Sequence, residues 1–123
     1  MRDQLPAIQK CEDLLKDLLP RVEKFPRGYK FTIGERIVSS ALELLELLVE
    51  SVYSRDKAAL LHRANIRVET LRHLLRLSRE LGPLPNRGYE HVMELLSELG
   101  RQIGGWRRHV GRRDGQNVQE PVP

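Results

Sequence analysis

The chain has 123 residues, of which 40% are hydrophobic and 31% are charged, and this composition is typical of one globular domain rather than of a disordered segment. Its 21 lysines and arginines exceed its 17 aspartates and glutamates, a modest excess that is compatible with a polyanionic partner but does not require one. A single cysteine, Cys11, excludes an intramolecular disulfide and a metal site made of several cysteines. Neither a membrane-spanning stretch nor a signal peptide is apparent, so we expect a cytoplasmic protein without membrane contact.

Glycine and proline separate four stretches of helical periodicity. The first predicts a helix over residues 4–24, in which Pro20 is expected to cause a kink or an early end. A second helix is predicted over 33–54, with Thr32 as its N-terminal cap. Its core face is predicted to consist of Ile37, Val38, Ala41, Leu42, Leu45, Leu48, Val49 and Val52.

The third helix is predicted over residues 56–81 and the fourth over 87–111. On the fourth, Gly100 and Gly104 lie one turn apart, a spacing that permits close approach of another backbone. Residues 112–123 lack apolar periodicity and are predicted to be a disordered tail. Residues 1–111 therefore predict an all-α fold, an antiparallel up-down-up-down four-helix bundle.

Some apolar residues fall outside the predicted core stripes and suggest self-association. These candidates for an oligomer interface are Leu44, Leu47, Ile66 and Leu77. Ile66 and Leu77 are equally well explained as isolated apolar residues of an ordinary protein surface.

Residue patterns for catalysis or for cofactor binding are missing from the sequence. Its histidines form no HExxH pair, no cysteine-histidine metal set and no Glu-x-x-His motif, and there is no P-loop. Three glutamates of the second helix, Glu43, Glu46 and Glu50, are interpreted as its solvated face. We therefore predict a protein that is not an enzyme and binds no metal or other cofactor.

Arginine dominates the basic residues of the third helix, and its planar guanidinium suits bidentate contact with phosphate. Within that helix, Arg72, Arg76 and Arg79 recur at intervals of four and three, which places them on one face. The predicted contacts with nucleic acid or a partner are Arg63, Arg67, Arg72, Arg76, Arg79, Arg101, Arg107 and Arg108. A solvated helix face is an equally good explanation of these charges, since Arg76 has Glu80 four residues away.

Several short segments resemble a family of small four-helix-bundle proteins. The family includes proteins encoded by intervening sequences in 23S ribosomal RNA genes and the accessory variability determinant of diversity-generating retroelements. Phe25-Pro26-Arg27 and Phe31-Thr32-Ile33-Gly34-Glu35-Arg36-Ile37 are similar to the family's first loop and second-helix start. The segments that resemble the accessory determinant itself are Ala64-Asn65, Leu71-Arg72-His73-Leu74-Leu75-Arg76-Leu77, Tyr89-Glu90, and Leu99-Gly100-Arg101-Gln102-Ile103-Gly104-Gly105-Trp106.

The resemblance implies a non-catalytic bundle that assembles into a ring- or barrel-like homo-oligomer, a pentamer. It also implies association with the retroelement's reverse transcriptase and with RNA or DNA, in support of mutagenic reverse transcription. The family's paired arginines match Arg72 and Arg76. Two alternatives remain open: a bundle of the intervening-sequence type with no reverse transcriptase partner, and a structural adaptor oligomer whose arginines are solvated.

Overall fold

The computed structural model describes residues 5–118, all of whose regular elements are helices. Four helices are present: α1, Leu5–Glu23; α2, made of Arg27–Tyr29, the π-helical segment Lys30–Gly34 and Glu35–Tyr53 in succession; α3, Lys57–Leu81; and α4, Asn86–Val118. Each helix packs against the helices before and after it in the chain, and α4 closes the bundle against α1. The predicted all-α four-helix bundle is confirmed.

The core runs along the centre of the bundle and draws on every helix. Its largest buried side chains are Trp106, Leu14, Leu18, Ile37, Leu44, Leu48, Leu61, Leu71, Leu75, Leu84, Leu96 and Leu99. Burial of the apolar stripes of α1, α3 and α4 follows the predicted periodicity. None of the described helices is long and apolar enough to cross a membrane.

Helix α2 is rotated relative to the prediction. Leu44 and Leu47 are only 0% and 7% exposed, whereas Leu42 and Val49 are 42% and 41% exposed. Leucine and valine occupy most of the circumference of this helix, so periodicity alone does not single out the buried side. The buried side includes Ser51, whose small side chain fits there and whose hydroxyl donates to the Leu47 carbonyl oxygen at 2.7 Å. The prediction of Leu44 and Leu47 as oligomer-interface residues is therefore wrong, because both lie in the protomer's own core.

Two helix boundaries also differ from the prediction. Helix α2 starts at Arg27, so Thr32 lies inside it, and the Thr32 hydroxyl donates to the Gly28 carbonyl oxygen at 2.9 Å instead of capping the helix. Helix α4 continues to Val118, beyond its predicted end at residue 111 and into the segment predicted to be a tail, while residues 119–123 lie outside the described range. Pro20 does not end α1, which continues to Glu23.

The start of α2 packs tightly against α1 through Gly34. A β-carbon on this residue would lie 3.0 Å from Val22 Cγ1 and 3.1 Å from the Tyr29 carbonyl oxygen. Neither neighbour is the end of a flexible chain, because valine is β-branched and the oxygen belongs to the backbone. A β-carbon at this position would therefore require Val22 or the backbone to move by a few tenths of an ångström where the π-helical segment meets α1.

Replacing Gly34 with alanine is expected to lower the free energy of unfolding by about 1–3 kcal/mol, the usual cost of overpacking. The matched control is Gly28→Ala, because a β-carbon at Gly28 meets nothing within 4 Å. Urea denaturation followed by circular dichroism measures both changes. Equal stability of the two variants would contradict the tight contact at Gly34.

Candidate nucleic-acid interface

The arginines of α3 divide between its two neighbouring helices. On one side, Arg72 donates from Nη1 to Ser97 Oγ of α4 at 3.3 Å, and the Arg79 guanidinium lies 4.3 Å from the centre of the Tyr89 ring. On the other side, Arg67 forms an ion pair with Glu43 of α2 at 3.0 Å. The prediction grouped these residues by helix, whereas the structure places them on two separate surfaces.

Arg72 is oriented by contacts with its own helix, α3, and with α4. Besides its hydrogen bond to Ser97, it pairs through Nε with Glu69 at 3.3 Å, and its side chain is 29% exposed. Gly100 leaves the space that the guanidinium occupies, since a β-carbon there would lie 3.3 Å from Arg72 Nη2. The predicted close approach at Gly100 therefore exists, but the neighbours are the side chains of Arg72 and Val68 and not another backbone.

Arg76 and Arg79 extend this surface toward the C-terminal end of α3. Arg76 is exposed and donates from Nη2 to His73 Nδ1 at 3.1 Å, an arrangement that requires that ring nitrogen to be unprotonated. Arg79 stacks on Tyr89, a cation–π contact that orients its guanidinium plane. We call the set of Arg72, Arg76 and Arg79, with Ser97 and Tyr89 beneath them, the α3/α4 arginine surface.

The α3/α4 arginine surface is suited to phosphate. Two of its three guanidinium groups are positioned by contacts with α4, so less side-chain freedom is lost when an anion binds. An exposed guanidinium offers several N–H donors to phosphate oxygens. Carboxylates limit the site on both sides, since Glu69 of α3 pairs with Arg72 at 3.3 Å and Glu90 and Glu94 of α4 line a groove beside Tyr89 and Ser97.

Arg63 and Arg67 occupy a different electrostatic environment. They line a pocket of about 210 Å³ between α2 and α3 that also contains Glu43, Glu46 and Glu50. These carboxylates offset the two guanidinium charges, which makes this surface a poor site for a polyanion. We therefore place Arg63 and Arg67 outside the candidate interface.

Comparison with protein families bears on the identity of the bundle that carries the arginine surface. A model of the bAvd-like family, named for the accessory variability determinant, matches residues 7–110. The chain belongs to the bAvd-like family. The match includes parts of all four helices and supports the resemblance on which the accessory-determinant expectation rests. No curated protein was found to match the chain.

The three predicted arginines of α4 in this bAvd-like chain differ in their partners and in their exposure. Arg101 pairs with Glu98, with contacts of 2.6 Å from Nη2 and 3.2 Å from Nε, and is thereby largely neutralised. Hydrogen bonds from Arg101 and then from Gln102 lower the pKa of the Glu98 carboxyl, which keeps it charged. Arg108 is exposed one turn beyond Gly104, and Arg107 is half-buried.

Sequence reasoning missed Ser97, the α4 residue that holds Arg72. A serine on the half-exposed side of a helix has no distinguishing neighbours in the sequence. Its role follows only from the packing of α3 against α4, 25 residues away along the chain. The sequence signal for this contact was Gly100, which lies one turn after Ser97. Glycine inside a helix costs about 1 kcal/mol relative to alanine, so its presence indicates that another group packs closely there.

Among the residues that the structure describes, no three His, Cys, Asp or Glu side chains are grouped so as to hold a metal ion. Cys11 is buried in the core of the bAvd-like bundle. Burial, and secondarily the charge of Glu12, raises the pKa of its thiol to about 12, so the thiol is protonated at neutral pH.

Proposed function

We propose that this protein is a non-catalytic accessory subunit of a diversity-generating retroelement, in which it binds the element's reverse transcriptase and nucleic acid and supports mutagenic reverse transcription. Membership of the bAvd-like family supports the retroelement role. The observation that carries the nucleic-acid contact is the α3/α4 arginine surface, where Arg72 is oriented by Ser97 and Arg79 by Tyr89. By family resemblance, the functional form is a homo-oligomer, a pentamer in the cytoplasm.

The chemistry of the arginine surface suggests how the subunit acts. Guanidinium groups that contact phosphates position a strand without reading its bases, so RNA, DNA and a hybrid share the contact. Such a subunit holds the template or the new strand beside the polymerase and leaves the chemical step to the polymerase. Contact through phosphate is compatible with any base sequence, which suits a new strand whose sequence varies through mutagenic copying.

A salt titration of nucleic-acid binding tests this proposal. Binding of the purified protein to the element's template-repeat RNA, and to DNA of the same sequence, is measured by fluorescence anisotropy between 50 and 200 mM salt. Each phosphate neutralised on a single strand contributes about −0.7 to the slope of log affinity against log salt, so three arginines predict a slope of about −2. Absent binding, or binding that salt does not change, would contradict the nucleic-acid role.

Co-purification tests whether the protein binds the reverse transcriptase. Co-expression of the protein with the reverse transcriptase of the same element is expected to give a complex on size exclusion. Nucleic-acid binding without such a complex would favour the intervening-sequence type of bundle. A protein that binds neither nucleic acid nor the reverse transcriptase would favour the structural adaptor.

A further inference from the structure

A groove along α4 adjoins the α3/α4 arginine surface. Its volume is about 460 Å³. The residues that line it are Tyr89, Glu90, Met93, Glu94, Ser97 and Arg101, and we call this feature the α4 groove. Tyr89 and Ser97 also belong to the arginine surface, where they contact two of its guanidinium groups. A ligand held on the arginine surface therefore lies beside the α4 groove.

Two rows of side chains line the α4 groove. Tyr89, Met93 and Ser97 follow one another at intervals of four residues and form the row nearer to α3, in which all three are half-buried. Glu90 and Glu94 form the neighbouring row, and both are exposed. Within the described part of the chain, neither of these two carboxylates takes part in an ion pair. The groove therefore combines an aromatic ring and a thioether with two carboxylates that are available as hydrogen-bond acceptors.

The arginine surface and the α4 groove together restrict the chemistry of a ligand that occupies both. Guanidinium groups attract an anion, whereas the carboxylates of the groove repel an anion and accept hydrogen bonds. A cationic peptide would suit the carboxylates but would be repelled by the adjacent arginines. A flat group that carries N–H donors and is joined to a phosphate fits both places, and its face can pack on Tyr89 and Met93.

We propose that the α4 groove binds an unstacked nucleobase with an exocyclic amino group, from a single strand whose phosphates lie on the α3/α4 arginine surface. Tyr89, on which Arg79 stacks, provides the aromatic ring on which proteins commonly stack the bases of single strands. Glu90 or Glu94 accepts a hydrogen bond from the amino group, as glutamate does from cytosine. The inference rests on the proposed function, because it adds a base subsite to the proposed phosphate contacts.

A base subsite makes two distinctions that phosphate contact alone does not make. Uracil carries a carbonyl oxygen where cytosine carries its amino group, and a carboxylate repels this second acceptor. In a duplex the faces of the bases are stacked on one another, so a base cannot enter the groove without being unpaired. Adenine, cytosine and guanine all carry an amino group, so the preference is compatible with a single strand of varied sequence.

Oligocytidine and oligouridine of the same length test the base subsite, because they carry the same number of phosphates. Fluorescence anisotropy is expected to show that the protein binds oligocytidine at least about fivefold more tightly. Replacing both Glu90 and Glu94 with glutamine is expected to remove this preference, since an amide accepts from cytosine and also donates to uracil. The affinity for oligouridine is not expected to fall, because the replacement removes two negative charges beside the arginine surface.

The matched control is Glu12→Gln with Glu35→Gln, which removes the same charge from exposed positions of α1 and α2. This control is expected to keep the preference for oligocytidine. Equal affinity of the wild type for the two oligonucleotides, or an unchanged preference after Glu90→Gln with Glu94→Gln, would overturn the base subsite and leave the proposed phosphate contacts standing. If neither oligonucleotide binds, the proposed nucleic-acid role fails and this inference fails with it.

Stacking on Tyr89 is tested with a single strand that contains 2-aminopurine, an amino-bearing base whose fluorescence falls when it stacks on an aromatic ring. The wild type and the Tyr89→Phe variant are expected to quench this fluorescence. Tyr89→Leu is expected to leave it unquenched and to bind the strand about fivefold or more weakly, since one stacking contact is lost. Circular dichroism checks that each variant remains helical. Quenching by Tyr89→Leu equal to that of the wild type would overturn the assignment of the base to the α4 groove.

Discussion

Replacing Arg72 and Arg76 with glutamate is expected to weaken nucleic-acid binding about a hundredfold or more, since two charge-assisted contacts of about 1.5 kcal/mol each are lost. Repulsion between the introduced carboxylates and phosphate adds to this loss. The magnitude of the salt slope is expected to fall by about 1.4, the share of two phosphate contacts with a single strand. Fluorescence anisotropy over a salt series measures both effects.

A matched control separates the arginine surface from overall charge. Lys16→Glu with Lys24→Glu changes the net charge by the same amount at exposed positions of the first helix and the loop that follows it. We expect this control to lose far less affinity. If the two double variants weaken binding equally, the effect comes from net charge and the α3/α4 arginine surface is not the site.

Arg72 also contributes to the packing of α3 on α4, so a loss of binding in the double variant must be distinguished from a loss of folding. Arg76 is exposed, and its guanidinium contacts His73 of the same helix. The single variant Arg76→Glu is therefore expected to keep the stability of the bundle and still to weaken binding about tenfold. Wild-type affinity of this variant would argue against contact at Arg76.

Replacing Leu44 with alanine is expected to lower the free energy of unfolding by about 3–5 kcal/mol, because a fully buried leucine leaves a cavity when it is truncated. Leu42→Ala removes the same atoms two residues earlier, from a side chain that is 42% exposed. Its cost to the protomer is expected to be below about 1 kcal/mol. Urea denaturation followed by Trp106 fluorescence measures both.

Protein concentration separates folding from assembly in this comparison. The loss caused by Leu44→Ala arises inside one protomer and is expected at every concentration. If Leu42 contacts another copy in the proposed homo-oligomer, the further loss caused by Leu42→Ala is expected to vanish on dilution. Similar losses for the two variants in dilute solution would contradict the observed rotation of α2.

The sequence predicted the number of helices and the buried stripes of three of them. In α1, α3 and α4 most apolar residues occupy one arc, with Ile66 and Leu77 of α3 outside it, so one rotation buries most of the apolar surface. Helix α2 has apolar residues on most sides, and several rotations bury similar areas. Contacts with α1 and α3 decide among these rotations, and a single helix's periodicity holds no information about those contacts.

The candidate site was predicted in part. Spacing placed Arg72, Arg76 and Arg79 on one side of α3, and the structure places two of them against α4. The separation of Arg63 and Arg67 from this set was not predicted. Helix geometry already indicates it, because the five residues from Arg67 to Arg72 turn α3 by about 140°. Arg67 therefore faces α2, where it pairs with Glu43 at 3.0 Å.

The position of the α3/α4 arginine surface bears on how strongly the proposed homo-oligomer would hold a long strand. Arg72 and Arg79 are directed toward α4 while Ile66 and Leu77 lie exposed on another side of the same helix, so copies that join through Ile66 and Leu77 would leave these arginines open. A strand that has engaged one copy then meets the neighbouring copies at high effective concentration. Modest contacts on each subunit would thus combine into strong avidity for long nucleic acids, with little retention of short ones.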